Sequence, residues 1–299
     1  MDASELLGLL MVGLVRGGLY ALMAISLSLM LGVMNVCSMV NGEYFMLGGY
    51  TAYFAYTTFH VSPIVGILLG TAVAGIAGAI TEMGLLRPLR RVAGEAWLLN
   101  TWLFTIGLSF VLKNVAQIIW KPVYRGIGSY WTGNVQLFGS FGISIDRLVA
   151  FSIAIGGIVL LTLFLQRTRL GRAIRAVNQD ERGAMLAGIS VNRIYTFTFA
   201  LACAMGGIAG ASMLSLIPAH PYMGSTPMIN AWLVVILAGL GNIWGALFSA
   251  FLVGFSEATA YQLFGSGWPS VVGAVMLITI LVLKPSGLFG GQVKGVWEQ

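Results

Sequence analysis

Residues 194–256 read IYTFTFALACAMGGIAGASMLSLIPAHPYMGSTPMINAWLVVILAGLGNIWGALFSAFLVGFS, 63 consecutive positions without an Asp, Glu, Lys or Arg. A helix crosses the hydrocarbon of a bilayer in about 20 apolar residues, so this stretch has room for several crossings. The pattern extends outward: charges are also absent from 17–42, 44–81, 96–112, 148–166 and 258–283. Of all 299 residues, 58% are hydrophobic and 9% charged. A water-facing surface needs charge at about a quarter to a third of its positions, which 16 basic and 10 acidic residues cannot supply. The composition excludes a soluble enzyme. The expected fold is all-α, a polytopic transmembrane helix bundle with about eight spans and broken or re-entrant helices, forming one domain over residues 1–299.

Turn signals and charges divide the chain into apolar segments near 17–36, 43–59, 64–85, 97–119, 148–166, 194–216, 228–240, 243–264 and 270–284. Met1-Asp2-Ala3-Ser4-Glu5 lacks the basic region of a cleaved signal, so the first apolar stretch is expected to remain in the membrane. The connectors 86–96 and 167–193, with the C-terminal tail, hold Arg87, Arg90, Arg91, Arg167, Arg169, Arg172, Arg175, Arg182, Arg193, Lys284 and Lys294. Cytoplasmic loops are enriched in Lys and Arg, which places these three on the cytoplasmic side and the N-terminus outside. Arg16, Lys113, Lys121, Arg125 and Arg147 then fall at the outer side or its interface. The net charge of +6 is thereby explained without nucleic acid. The 120–147 loop becomes external. Its Pro122, Gly126, Gly128, Gly133, Gly139 and Gly142, with Tyr124, Tyr130 and Trp131, describe an irregular loop with interfacial aromatics and a plausible docking surface. Cys37 and Cys203 are far apart in apolar stretches and are expected to pack rather than pair.

Two interruptions stand out. At Gly239-Leu240-Gly241-Asn242, helix-disfavouring residues predict a half-buried break, and Asn35-Val36-Cys37-Ser38-Met39-Val40-Asn41-Gly42-Glu43 predicts another. Non-helical backbone at membrane depth survives only against protein or a water-filled cavity, and many transporters build their central pathway from such breaks. Gly66, Gly70, Ala74 and Gly78, and again Ala202, Gly206 and Gly210, repeat every fourth residue, predicting ridges where helices approach closely.

Recognisable catalytic chemistry is missing. Lys113, Lys121, Lys284 and Lys294 follow Leu, Trp, Leu and Val, so no Gly-Lys-Ser/Thr phosphate loop exists. His60 and His220 are the only histidines, and no metal-type spacing occurs. Glu43, Glu82 and Glu257 are the acids within apolar regions. Interfacial solvation is expected for Glu82 and Glu257. Glu43 follows the first break, where it reads first as a helix N-terminal cap and second as a group lining a translocation route. Tyr20, Asn35, Asn41, Glu43 and Asn242 are the candidate pathway residues.

In the 167–193 connector, Leu170, Ile174 and Val177 share one helical face with arginines opposite, and Ala184-Met185-Leu186 begin a second short turn before Gly188. Such an amphipathic pair suits either an anchor on anionic lipid or a lever docked into a partner protein.

At these residues the chain resembles the integral-membrane permease subunits of ATP-binding-cassette importers for branched-chain amino acids, a family with close relatives for urea and short amides. The resemblance covers nearly the whole chain. It rests on Gly18-Leu19-Tyr20-Ala21-Leu22, Asn41-Gly42-Glu43 with Met46-Leu47-Gly48-Gly49-Tyr50, Arg87-Pro88-Leu89-Arg90, Thr105-Ile106-Gly107-Leu108-Ser109, the connector, Leu237-Ala238-Gly239-Leu240-Gly241-Asn242, and Lys284-Pro285-Ser286-Gly287-Leu288-Phe289-Gly290. It implies that Gly171, Arg172, Arg175, Ala176, Asp180, Ala184 and Gly188 belong to a coupling region that receives motion from an ATPase. It further implies a homologous second permease chain in a heterodimer, two cytoplasmic ATPase subunits and a periplasmic binding protein, all at the inner membrane. This chain would hold no cofactor, with ATP and Mg in the ATPase subunits. Where the family commonly reads Asn-Phe-Ala-His-Gly-Glu, this chain has Asn41 in place of the histidine, which removes any proton-sensitive role there and opens the substrate to difference: branched-chain or other small hydrophobic amino acids lead, with urea or short amides as the alternative within the family. An ion-gradient-driven secondary transporter is the alternative of a different class.

Overall fold

The computed structural model describes residues 3–138 and 141–290; Met1, Asp2, Gly139 and Lys294, cited above, lie outside them. The apolar runs form helices throughout. Helix α1 (Ala3–Met34) is followed by α2 (Asn41–Thr57) and α3 (Pro63–Thr81), which continues through a π-helical turn (Glu82–Leu86) into α4 (Arg87–Ala93). After a 3₁₀ turn (Gly94–Ala96) come α5 (Trp97–Trp120), a hairpin of β1 (Asn134–Phe138) and β2 (Phe141–Ser144), and α6 (Ile145–Arg167). The connector forms α7 (Arg169–Gln179) and α8 (Glu181–Leu186), and α9 (Val191–Ser212), α10 (Ser225–Ala238), α11 (Ile243–Phe264) and α12 (Pro269–Leu283) complete the bundle.

Six of these helices are long and apolar enough to cross a membrane; α10 and α12 are apolar but only 14 and 15 residues long, so the expected count of about eight is met only if both also cross. Helix α1 is apolar on all sides and buried from Leu19 to Met34, packed by α6, α9, α10 and α11. An all-round apolar helix is stable only inside a bundle. Helices α3, α5 and α12 instead leave rows such as Leu68, Ile76 and Ile80, or Val275, Ile278 and Val282, exposed on their outer faces, as lipid contact requires.

The small-residue ridges are the tightest contacts. A methyl group added at Gly210 would overlap the Phe45 backbone, one at Gly48 would overlap Gly207, and one at Gly78 would stand 2.6 Å from Cys203. Helices α2, α3 and α9 therefore meet nearly backbone to backbone, with Cys203 as a packing residue.

The three basic connectors gather at one end. Arg90 donates to Asn192 Oδ1 at 3.2 Å, joining α4 to the start of α9. Gly32, near the end of α1, lies against Gly241 and Asn178 of α7. Phe289 N and Leu288 N donate to Ala238 O and Leu237 O, which brings in the tail. At the opposite end, the 120–147 segment is more ordered than an irregular loop. It contains the antiparallel β-hairpin and a bridge between Arg125 and Ala219, and Tyr124 packs on His220 at 4.6 Å. The alternating Asn134-Val135-Gln136-Leu137-Phe138 run carries the strand signal that the many glycines obscure.

Candidate functional site

The first interruption lies at mid-depth. Asn41, where α2 begins, donates through Nδ2 to Ser26 Oγ, and Ser26 lies two turns inside α1 from Met34. At 1.5 Å per residue, that sets the start of α2 about 12 Å in from the connector end. From there α2 runs to the opposite end, where Val61 N bonds to Ala55 O. The chain after α9 descends to the same point: Met223 lies against Gly49, and a methyl at Gly224 would overlap Gly42. Helix α10 then starts at Ser225 and runs to the connector end. Two helices thus begin beside one another inside the bundle. Their unpaired N–H groups and aligned dipoles make this a region of positive potential.

Helix α5 presents Thr101, Thr105, Ser109 and Lys113 to that point, four residues apart and hence on one face. Thr105 Oγ1 accepts from Met39 N and approaches Cys37 O, both at 3.3 Å, holding the non-helical segment. Ser109 donates to Glu43 Oε1 at 2.8 Å, and Lys113 Nζ lies 3.4 Å from the same oxygen. Glu43 is only 3% exposed. Its other oxygen, with Ser38 Oγ, Asn41 Oδ1 and Thr101 Oγ1, is buried and has no hydrogen-bond partner among the described residues. Buried polar groups are nearly always satisfied in a finished core, and these four open atoms are among several such atoms in the described bundle. Glu43 is not a cap. Val40 occupies the cap position without a side-chain bond, and the Glu43 carboxylate turns sideways to α5.

A second polar group lies across α10. Asn230 Nδ2 donates to Tyr20 Oη at 2.8 Å, Tyr20 OH donates to Glu257 Oε2 at 2.7 Å, and Arg16 stands 3.9 Å from that oxygen. A third lies near the connectors: Glu82 takes Arg90 and the Thr196 hydroxyl at 2.5 Å each, while the Arg90 guanidinium covers the Tyr195 ring at 4.3 Å. The expected interfacial solvation of Glu82 and Glu257 is therefore corrected. Both are buried and held by partners, because the helices that surround them supply cations and hydroxyls where water cannot reach. Lys113 likewise moves from the outer interface into the bundle as the partner of Glu43.

The model of the family described as branched-chain amino acid transport system, permease component, matches residues 9–283. The chain belongs to this family. It is 29% identical over 288 residues to the high-affinity branched-chain amino acid transport system permease protein BraD of Pseudomonas aeruginosa, covering 93% of this chain and 94% of that protein. It is 28% identical over 293 residues to the corresponding LivH of Escherichia coli, with 93% of each covered. The ribose import permease protein RbsC of Escherichia coli is 30% identical over 232 residues, 75% of this chain and 68% of that protein. No solved structure matches.

Of the five pathway candidates, this permease brings Asn41 and Glu43 together. Tyr20 joins the Glu257 group. Asn35 is exposed at the end of α1 with φ of 49°, and Asn242 caps α11 at the connector end by accepting from Gly245 N at 2.9 Å. The break at 239–242 is consequently not half-way through the bundle. The second mid-depth helix start is at Gly224–Ser225, reached by the 213–224 segment descending from the outer end, which Pro218, Pro221 and Gly224 could have signalled. Sequence reading also missed Thr101, Lys113 and Asn230; the four-residue spacing of polar groups on a charge-poor helix was the available signal for the first two.

The connector residues form a compact elbow. Thr168 caps α7 by accepting from Gly171 N at 2.9 Å, and Asp180 caps α8 by accepting from Arg182 N at 3.0 Å. A methyl at Gly171 would overlap Phe164 and Leu165 carbonyls, so only glycine lets α7 fold back on α6. The buried face is Gly171, Ile174 and Val177, with Ala184 beside it, while Leu170 sits at its margin. Ala176 is half-buried and Gly188 has φ of 82°. Arg172, Arg175 and Asp180 are exposed, and Leu186 is 90% exposed.

Proposed function

We propose that this chain is the membrane permease subunit of an ATP-driven importer of branched-chain amino acids. It is a transport component and not an enzyme. In this reading the connector end faces the cytoplasm of the cell with the inner membrane around the bundle, and the N-terminus lies outside. A periplasmic binding protein delivers substrate, a homologous second permease chain completes the translocation unit, and two ATPase subunits supply ATP, Mg and the power stroke.

The observation that carries the reading is the meeting of α2 and α10 at Gly42 and Gly224, beside the open acceptors of Ser38, Asn41, Glu43 and Thr101. A zwitterion needs both signs of charge along its route. Here the helix starts and Lys113 offer positive potential to a carboxylate, and the free Glu43 oxygen offers an acceptor to an ammonium group. The elbow formed by Gly171, Arg172, Arg175, Ala176, Asp180, Ala184 and Gly188 supports a coupling role: two exposed arginines and bare Leu186 sit on a rigid, doubly capped turn.

The test is ATP-driven uptake of labelled leucine, with ribose as the control suggested by the sugar-importing relative, in proteoliposomes holding the assembled complex and its binding protein. Leucine uptake should require ATP, and the Arg172→Glu/Arg175→Glu double variant should lose most of it while the bundle stays folded. Uptake by this chain alone on an ion gradient overturns the importer reading, and full coupling in the double variant overturns the docking role.

A further inference from the structure

The geometry points to a carboxylate-binding cavity at the end opposite the connectors, shaped for a small aliphatic amino acid. This rests on the transport reading above and adds a place where the permease itself receives substrate. The cavity measures about 710 Å³, between the first half of α1, the start of α6, the segment after α9 and the last turns of α11. That falls within the roughly 300–1,000 Å³ typical of small-molecule sites. Its walls are mostly aliphatic, with Val12, Leu19, Leu216 and Ile217 among them beside Tyr261 and Gln262, and two guanidinium groups, Arg16 and Arg147, stand in it.

Neither arginine is fully used by the protein. Arg16 lies 3.9 Å from Glu257 Oε2, beyond hydrogen-bond length, and rests over the Tyr261 ring at 5.6 Å, with its side chain one-third exposed. Arg147 has no carboxylate within ion-pair distance among the described residues. It also sits in the first turn of α6, where the helix dipole disfavours a cation. The acid of that same turn, Asp146, is turned away and accepts from Trp131 N at 2.9 Å. An exposed arginine on the wrong end of a helix, beside a second arginine and an apolar wall, is complementary to an anionic head with a branched aliphatic tail. Planar guanidinium forks recognise a carboxylate by paired hydrogen bonds.

The cavity also leads somewhere. Arg16 contacts Glu257, which holds Tyr20, which holds Asn230 on α10, two residues beyond the contact of Met228 with Gly42. A bound carboxylate competing for Arg16 therefore loosens the group that fixes α10 next to the mid-depth meeting point.

A phospholipid phosphate shares this anionic chemistry, so the experiment separates the two sources. The full chain is placed in phosphatidylcholine nanodiscs, and saturation-transfer NMR is recorded with leucine, isovalerate and leucinamide. Leucine and isovalerate should bind and leucinamide should not. Arg147→Gln should weaken leucine binding about tenfold, the scale of one charge-assisted hydrogen bond, and Arg147→Lys should retain part of it. Equal binding by wild type and Arg147→Gln, equal binding of leucinamide, or complete displacement of leucine by phosphatidylglycerol each overturns the proposal. Leucine uptake by the assembled complex is measured in parallel. Uptake without binding in the cavity removes the cavity and leaves the importer; binding without uptake removes the importer and leaves the cavity.

Discussion

The two interruptions at 35–40 and 239–242 carry similar sequence signals and have opposite surroundings. The second leaves no buried side-chain polar atom without a partner among the described residues. Gly239 and Gly241 take φ of 97° and 80°, Asn242 caps α11, Leu288 N and Phe289 N bond to Leu237 O and Ala238 O, and Lys284 Nζ reaches Leu288 O. The first leaves Ser38 Oγ, Asn41 Oδ1 and Glu43 Oε2 buried without partners. A break whose side-chain polar groups are used is a joint, here clamping the tail to the bundle. A break with unused polar groups inside the membrane is costly to keep, and the proposed passage of a polar substrate would account for it.

The largest expected effect comes from the first break. Glu43→Ala leaves the half-buried Lys113 without its carboxylate, and the cost of breaking a pair of which only one member is buried falls toward or below the low end of the about 3–5 kcal/mol that a fully buried pair costs. Folded protein recovered from membranes should fall sharply. The double variant Glu43→Gln/Lys113→Met removes both charges and should recover the fold while transport stays lost. Recovered transport in that double variant would make the pair a structural one and erase the contrast between the breaks. A smaller effect is expected at the second break for Gly239→Ala. That substitution forces a side chain into positive φ with its Cβ 2.7 Å from Gly290, a strain of about 1–3 kcal/mol. Thermal unfolding in detergent should show a lower midpoint, and leucine uptake per folded complex should be unchanged.

Composition and charge spacing made the helical bundle and both breaks legible, because lipid burial leaves few arrangements for long charge-free runs. The clustering of the basic connectors at one end could also be read, since lysine and arginine placement follows the membrane itself. Depth was not legible. Asn242 and Asn41 look alike in sequence, and only packing against Ser26 shows that one is deep in the bundle while the other is a cap near its end. Pairing across sequence was equally hidden: Lys113 with Glu43, Asn230 with Tyr20, and Tyr20 with Glu257 are separated by 70, 210 and 237 positions, and no local pattern announces them.

The smallest effect sharpens the comparison most. Asn242 holds α11 by accepting from Gly245 N and holds the tail by donating to Phe289 O at 3.0 Å. Replacing it by Ala removes both, and a lost cap costs about 1 kcal/mol. Asn242→Asp keeps the acceptor for the cap and loses the donor to the tail, so its unfolding midpoint should fall between wild type and Asn242→Ala. Transport per folded complex should match wild type in both variants, because no substrate needs this joint. If Asn242→Asp folds normally and yet transports poorly, the residue faces the moving substrate, and the distinction between a satisfied joint and an open passage fails at its clearest point.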